Sequence, residues 1–223
     1  MVLEIPNVVD RETVDRLMTM IAGGSFVPGS RTAAGAAARV KNNEQLDVHS
    51  EPAQQAGTLL IDTLRANPVF EAATLPARIV APRFSRCGPG MGYGDHLDAP
   101  LMSDLPPIRT DIAVTVFLAD AANYDGGELT IHTDYGPHRF KGSAGHCVVY
   151  PADMVHRVEP VTRGERIVSF FWIQSLVRDP ERRRILFDLA EAVECIDGGA
   201  DPRMNLETLR RCHANLIRMW ANA

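Results

Sequence analysis

The run Tyr93-Gly94-Asp95-His96-Leu97-Asp98 sets an imidazole and a carboxylate two residues apart in a strand-like segment. Side chains on a strand alternate with period two, so His96 and Asp98 point to one face and can converge on one metal ion. A third ligand must come from another strand. His156 is well placed, because it follows the turn Pro151-Ala152-Asp153-Met154 and precedes the strand-like Arg157-Val158-Glu159-Pro160-Val161. Two histidines and one carboxylate on one face of an octahedral ion leave three positions open. That arrangement suits ferrous iron that must hold a bidentate oxo-acid and then dioxygen.

An isolated His-x-Asp is a weak signal, more often a surface pair or a hydrogen-bonded turn. Arg166 raises its weight. It lies ten residues after His156 and opens the apolar strand Arg166-Ile-Val-Ser-Phe-Phe-Trp-Ile-Gln174. Burying an unpaired guanidinium costs several kcal/mol, so an arginine entering such a strand needs a carboxylate. A dicarboxylate co-substrate supplies one through a two-pronged, charge-assisted contact. The alternative is an arginine at the strand end pairing with Glu165 or solvent, and the linked spacing favours the first reading.

Three zones must position these groups. Up to about Pro76 the pattern is mainly helical. Asp10 is an N-cap, Val9 and Val14 sit at hydrophobic-staple positions, and Val14, Leu17, Met18 and Ile21 form a stripe ended by Gly23-Gly24. An Ala/Gly-rich loop, Gly29 to Ala38, precedes a second helix expected over Glu51 to Ala66 and stopped by Asn67-Pro68. The segment Gly29–Leu46 is expected to form part of a site entrance.

From Ala77 to Ser175 the period becomes that of strands. The expected runs are Arg78–Cys87, Tyr93–Asp98, Asp111–Ala119, Glu128–Thr133, His138–Lys141, Cys147–Tyr150, His156–Val161 and Arg166–Gln174. Turns fall at Gly88-Pro89-Gly90, Asp125-Gly126-Gly127, Asp134-Tyr135-Gly136-Pro137 and Thr162-Arg163-Gly164. About eight strands at this spacing suggest an antiparallel jelly roll. The last zone is helical. Asp179-Pro180 opens a helix with the stripe Ile185, Leu186, Leu189 and Val193, and a final helix from about Asn205 is expected to bury Leu209, Leu216, Ile217 and Trp220. These two helices read as structural cover or as a homodimer contact. The domain expectation is residues 1–176 with a core over 77–175, followed by a helical extension over 177–223.

Composition narrows the class. With 223 residues, 45% hydrophobic and 23% charged, the chain is an ordinary globular protein able to bury a large core. A net charge of -5 gives no electrostatic case for nucleic acid or anionic membranes. The start Met1-Val2-Leu3-Glu4-Ile5-Pro6 lacks a basic leader and no apolar run is long enough to span a bilayer, so the expected location is the cytoplasm. Cys87, Cys147, Cys195 and Cys212 show no metal or disulfide spacing and read as reduced thiols. His132 and His138 flank a hairpin turn and read as exposed. His146 is a candidate supporting group, His49 and His213 have no visible partner, and Trp172 with its neighbouring phenylalanines reads as core.

The set His96-x-Asp98, His156 and Arg166 resembles the prolyl 4-hydroxylase-like iron and 2-oxoglutarate dioxygenases. Four segments bring the resemblance closer to the bacterial PKHD-type hydroxylases, some of them associated with iron uptake. They are Val40–Leu46, Gly90–Ala99, Tyr124–Leu129 and Ser169–Ser175. The resemblance covers nearly the whole chain. It implies a double-stranded β-helix flanked by helices, with iron at His96, Asp98 and His156 and the distal carboxylate of 2-oxoglutarate at Arg166. Ascorbate would keep the iron ferrous, and dioxygen and a small-molecule or peptidyl substrate would complete the reaction. One position departs from the pattern. Cys87 stands where relatives usually carry a tyrosine, so a phenol near the co-substrate is missing or is replaced by Tyr93. Two other readings stay open at this stage, a non-catalytic iron or 2-oxoglutarate sensor on the same fold and a zinc or manganese jelly-roll enzyme.

Overall fold

The computed structural model describes residues 1–32, 38–102, 106–197 and 202–220. Seventeen strands follow in order: β1 (Leu3–Ile5), β2 (Phe26–Pro28), β3 (Lys41–Asn42), β4 (Glu44–Leu46), β5 (Pro76–Ile79), β6 (Arg83–Cys87), β7 (Gly92–His96), β8 (Leu101–Met102), β9 (Ile108–Arg109), β10 (Ile112–Phe117), β11 (Tyr124–Gly126), β12 (Leu129–Thr133), β13 (Gly136–Phe140), β14 (Cys147–Pro151), β15 (His156–Val158), β16 (Val161–Gly164) and β17 (Arg166–Ser175). An eight-stranded antiparallel sheet runs β1-β14-β10-β17-β6-β4-β2, with β5 also paired to β17. A five-stranded sheet runs β13-β12-β15-β7-β3. The expected jelly roll is the fold, carried by more and shorter strands than the sequence pattern suggested.

Strand β10 shows why the large sheet is covered on both faces: all six of its residues are buried. Ile112, Val114 and Val116 pack with Val14, Leu17, Leu60, Leu64 and Phe70 from the helices Arg11–Ala22, Glu51–Arg65 and Pro68–Thr74. Ala113 and Phe117 point the other way, into a second core with Leu129 and Ile131 of the small sheet. The same parity runs along β17. Phe171 and Ile173 join the helix-side core, while Val168 and Trp172 face the small sheet. Arg166 shares the parity of Val168 and Trp172, so the alternation that builds the core also aims its guanidinium between the sheets. Each large side chain buried this way contributes roughly 1.5–3 kcal/mol.

Several local expectations change. The segment up to Pro76 contributes β1 to β4 as well as helices, because single short strands among polar residues carry almost no periodic signal. Arg78–Cys87 is two strands broken around Pro82, which has no N–H for a ladder. Asn67 ends one helix but also caps the next, accepting from the Phe70 N–H at 3.0 Å. Thr162-Arg163-Gly164 lies in β16, paired with β11. In the helix Pro180–Asp197 the buried positions among the described side chains are Arg183, Ile185, Phe187, Asp188 and Ala192. Leu186 and Val193 are exposed, as is Leu209 in the helix Pro202–Trp220, so the stripes read from hydrophobicity alone are rotated away from the observed buried face. Asp188 can sit inside because Arg211 meets it at 2.6 Å. Leu216 is half-buried, whereas the side chains of Ile217 and Trp220 and part of the Gly29–Ala38 loop lie outside the described residues. No helix among the described residues is long and apolar enough to cross a membrane.

Candidate active site

His96 and His156 are register partners on the adjacent antiparallel strands β7 and β15. Asp98 lies two residues beyond the end of β7, yet the alternation persists: Leu97 is exposed while His96 and Asp98 turn inward. One ligand atom from each of His96, Asp98 and His156 lies within 4.8 Å of the others. These three side chains would together hold one metal ion. His156 Nε2 stands 3.8 Å from Asp98 Oδ2, and both side chains are almost fully buried.

Both imidazoles are oriented alike. His96 Nδ1 lies 2.8 Å from the Gly94 carbonyl and His156 Nδ1 lies 3.0 Å from the Met154 carbonyl. A carbonyl only accepts, so each Nδ1 carries the proton and donates it. In the neutral ring Nε2 then carries the lone pair and faces the shared centre, the tautomer a metal requires. Burial, reinforced by the neighbouring His156, pushes the His96 pKa down to about 4, which holds its ring neutral. Burial pushes the Asp98 carboxyl up, opposed by His156, the Trp172 indole, Lys41 and Arg83.

A bulge refines this face. Between the pairs His156–His96 and Val158–Tyr93, β7 spends three residues where β15 spends two. Tyr93 and His96 would face opposite sides of a regular strand, but the extra residue puts both on one side. Their rings stack at 3.5 Å and 12°. Gly94 lets Val40 lie close against β7, since a Cβ there would meet the Val40 side chain at 2.9 Å. Tyr150 closes the other flank, edge-on to His156 at 5.1 Å.

The three candidate ligands and Arg166 line one cleft of about 760 Å³ between the sheets. Arg166 is 3% exposed, and its Nε has no hydrogen-bond partner among the described residues. The buried Tyr124 hydroxyl lies beside Arg166 and has no acceptor among the described residues. Burial pushes the Tyr124 phenol up, and the nearby Arg166 charge opposes it. Gly127, at φ +70°, leaves room for both side chains: a Cβ there would meet Arg166 Cδ at 3.0 Å and Tyr124 Cε2 at 3.1 Å. Two buried polar groups awaiting an acceptor fit a carboxylate.

Sequence reasoning missed several residues of this cleft. Lys41, Arg83 and Trp172 line it, and Tyr124 stands behind Arg166. Trp172 is core, as its apolar strand suggests, and lines the cleft as well. Strand parity was the signal that puts Trp172 on the small-sheet side of β17 and Phe171 on the helix side. Cys87 is buried in the cleft as the direct ladder partner of Arg166, and Tyr93 stacks on a candidate ligand. His146 lies 3.6 Å from Glu4 and is not among the cleft residues. His132 is 3.0 Å from Asp95 on the rim.

Residues 82–174 match the sequence profile of the 2OG-Fe(II) oxygenase superfamily. A "PKHD-type hydroxylase" of Caulobacter sp. (strain K31) is 41% identical, the match covering 99% of each chain. A protein of the same description from Beijerinckia indica is 42% identical over 99% of each chain. Among solved structures, a Pseudomonas putida prolyl-4-hydroxylase is similar in fold at TM-score 0.56 and 20% identity, covering 79% of this chain and 93% of its own. A Trichoplax adhaerens prolyl hydroxylase, solved with a hypoxia inducible factor peptide, gives TM-score 0.59 at 14% identity, covering 83% of this chain and 86% of its own.

Proposed function

Since this chain belongs to the PKHD-type hydroxylases, within the iron(II)- and 2-oxoglutarate-dependent oxygenases, we propose that His96, Asp98 and His156 hold its ferrous ion and Arg166 its co-substrate. The single observation that carries this is the convergence of two imidazoles and one carboxyl group beside an arginine buried in the same cleft. Bound there, ferrous iron with 2-oxoglutarate and dioxygen supplies a hydroxylation that leaves succinate and carbon dioxide, with ascorbate restoring the ferrous state.

The chain's own residues bind, orient and exclude. The Gly94 and Met154 carbonyls fix both imidazoles through their Nδ1 protons, and the Tyr93 ring holds the plane of His96. Asp98 offsets part of the metal's charge. Arg166 presents a fork to the distal carboxylate of 2-oxoglutarate. The Tyr124 hydroxyl is placed to donate to the same carboxylate, taking the role of the phenol that Cys87 cannot offer. Tyr150, Val168 and Trp172 keep the inner end of the cleft apolar, which strengthens each charged contact there.

Turnover of 2-oxoglutarate separates this reading from a non-catalytic sensor, and restoration of activity by ferrous iron alone separates it from a zinc or manganese enzyme. Asp98→Ala should weaken iron binding and end succinate release. Parent-level iron binding and turnover in that variant would refute the ligand assignment.

The reading extends to a peptidyl or small-molecule substrate and to a homodimer through the C-terminal helices. Leu186, Val193, Leu206 and Leu209, all exposed on those helices, support the dimer. A monomeric sedimentation profile across the micromolar range would remove it. The cytoplasm is the proposed compartment, supported by four free cysteines, three of them buried.

A further inference from the structure

Asp98 is the candidate ligand with a choice of donor atoms. An imidazole offers a metal one nitrogen, whereas a carboxylate offers one oxygen or two. A second oxygen would fill one of the three positions that a bidentate oxo-acid and dioxygen need, so the way this carboxylate is held decides how many stay open. Asp98 also lies two residues past the end of β7, beyond the ladder that sets His96 opposite His156. Its Oδ2 stands 3.8 Å from His156 Nε2, toward the shared centre.

Trp172 reaches the same carboxylate from the large sheet. Its indole N–H donates to Asp98. On β17 it shares the parity of Arg166 and Val168, which turns its ring between the sheets, and it lines the cleft together with Asp98. The residue is fixed by its surroundings. Phe170 meets the ring edge-on at 5.6 Å and 88°, Arg83 Cζ lies 5.3 Å from the ring centre, and the Trp172 carbonyl accepts from the Val80 N–H at 2.9 Å. Trp172 is 6% exposed and the Asp98 side chain 8%. A hydrogen bond to a carboxylate in such surroundings is strong, because little water competes for it.

We propose that Trp172 is a positioning residue for the metal: it ties one oxygen of Asp98 to its indole N–H and leaves the other to the ion. Three positions then stay open for 2-oxoglutarate and dioxygen. This rests on the reading of the site above and adds to it a residue that acts through a ligand. A core role alone needs the ring of Trp172 and not its N–H, so removing the donor while keeping an aromatic ring separates the two.

Anaerobic calorimetry with ferrous iron on the parent and Trp172→Phe is the first test. The dissociation constant should rise by about ten- to a hundredfold in the variant, as it does when a ligand loses its outer hydrogen bond. With 2-oxoglutarate added, the visible charge-transfer band should also shift, because a freed Asp98 changes how the ion is bound. A second measurement needs no change at Trp172. The chain has two tryptophans, Trp172 and Trp220, so isotope-labelled protein gives two indole N–H resonances, and Trp220→Phe leaves the one from Trp172. In the metal-free protein that resonance should move upfield in Asp98→Ala and keep its place in Asp95→Ala, whose carboxylate lies on the rim. An unmoved resonance in Asp98→Ala, or an equal movement in Asp95→Ala, overturns the proposal. So does parent-level iron affinity in Trp172→Phe, which would leave Trp172 as core and the family reading intact. Weaker iron binding with an unshifted band would mark a structural effect and overturns it too. Parent-level iron binding in Asp98→Ala would remove the ligand assignment, and this inference with it.

Discussion

His96 and His156 face each other across the antiparallel pair β7 and β15, with ring centroids 4.2 Å apart. Direct opposition on neighbouring strands is the closest approach two side chains of a sheet can make without leaving their rotamers. Each ring is steered by the carbonyl two residues before it, Gly94 for one and Met154 for the other. Two of the proposed ligands are therefore fixed by ladder register and local backbone before any metal arrives.

Removing one of them should be visible directly. Anaerobic ferrous iron and 2-oxoglutarate should give the protein a weak visible charge-transfer band, and His156→Ala should abolish it. Retention of the full band would take His156 out of the ligand set.

Arg166 is the second test. Arg166→Ala should raise the apparent Michaelis constant for 2-oxoglutarate by about a hundredfold or more, since a desolvated bidentate pair is worth about 3–5 kcal/mol. Arg166→Lys should recover part of this, because an ammonium cannot reproduce the fork. Tyr124→Phe should raise the constant by a smaller factor, about tenfold for one lost hydrogen bond to a charged group. An unchanged constant in Arg166→Ala would move the carboxylate to another residue.

His96 makes the metal-free protein sensitive to acid. Its pKa falls from an ordinary 6.5 to about 4 on folding, chiefly through burial. Below 6.5 the unfolded chain takes up a proton that the folded ring refuses, so stability declines as pH falls and levels off below about 4. The full effect is on the order of 3 kcal/mol, less whatever solvent screening reaches a partly exposed ring. Urea midpoints of the metal-free protein at pH 7 and pH 4.5 should differ less in His96→Asn than in the parent. An identical difference would show that His96 does not contribute to the acid sensitivity.

The C-terminal helices should prove integral to the fold. Phe187 is 4% exposed and packs into the helix-side core, and Arg183 donates to the Val177 and Arg178 carbonyls at 2.7 and 2.8 Å. Phe187→Ala should cost about 3–5 kcal/mol by chemical denaturation, as cavity-forming changes in cores do. Truncation after Val177 should expose that core and cause aggregation. A soluble, fully active truncated protein would make residues 178–223 a separable appendage.

The sequence by itself determined what depends on residue type and short-range period. Alternation placed β10, β12, β14 and β17 and hence the jelly roll. Caps at Asp10 and Asp179 located helix starts, and residue type with spacing brought together His96, Asp98, His156 and Arg166. What the tertiary structure alone decided depends on which element lies against which. The bulge that turns Tyr93 onto His96 is a mismatch between two strands, so it exists only once β7 and β15 are paired. Trp172 and Phe171 are both aromatic, and only the layers on either face of β17 put one in the core facing the small sheet and the other in the helix-side core. Lys41 and Arg83 stand 42 positions apart in the chain with no motif joining them. They reach one cleft because β3 pairs with β7 in the small sheet while β6 pairs with β17 in the large one. Asp188 is buried, against the rule for a charged residue, because Arg211 from the next helix neutralises it. Hydrophobicity along one helix cannot encode a partner that only packing supplies.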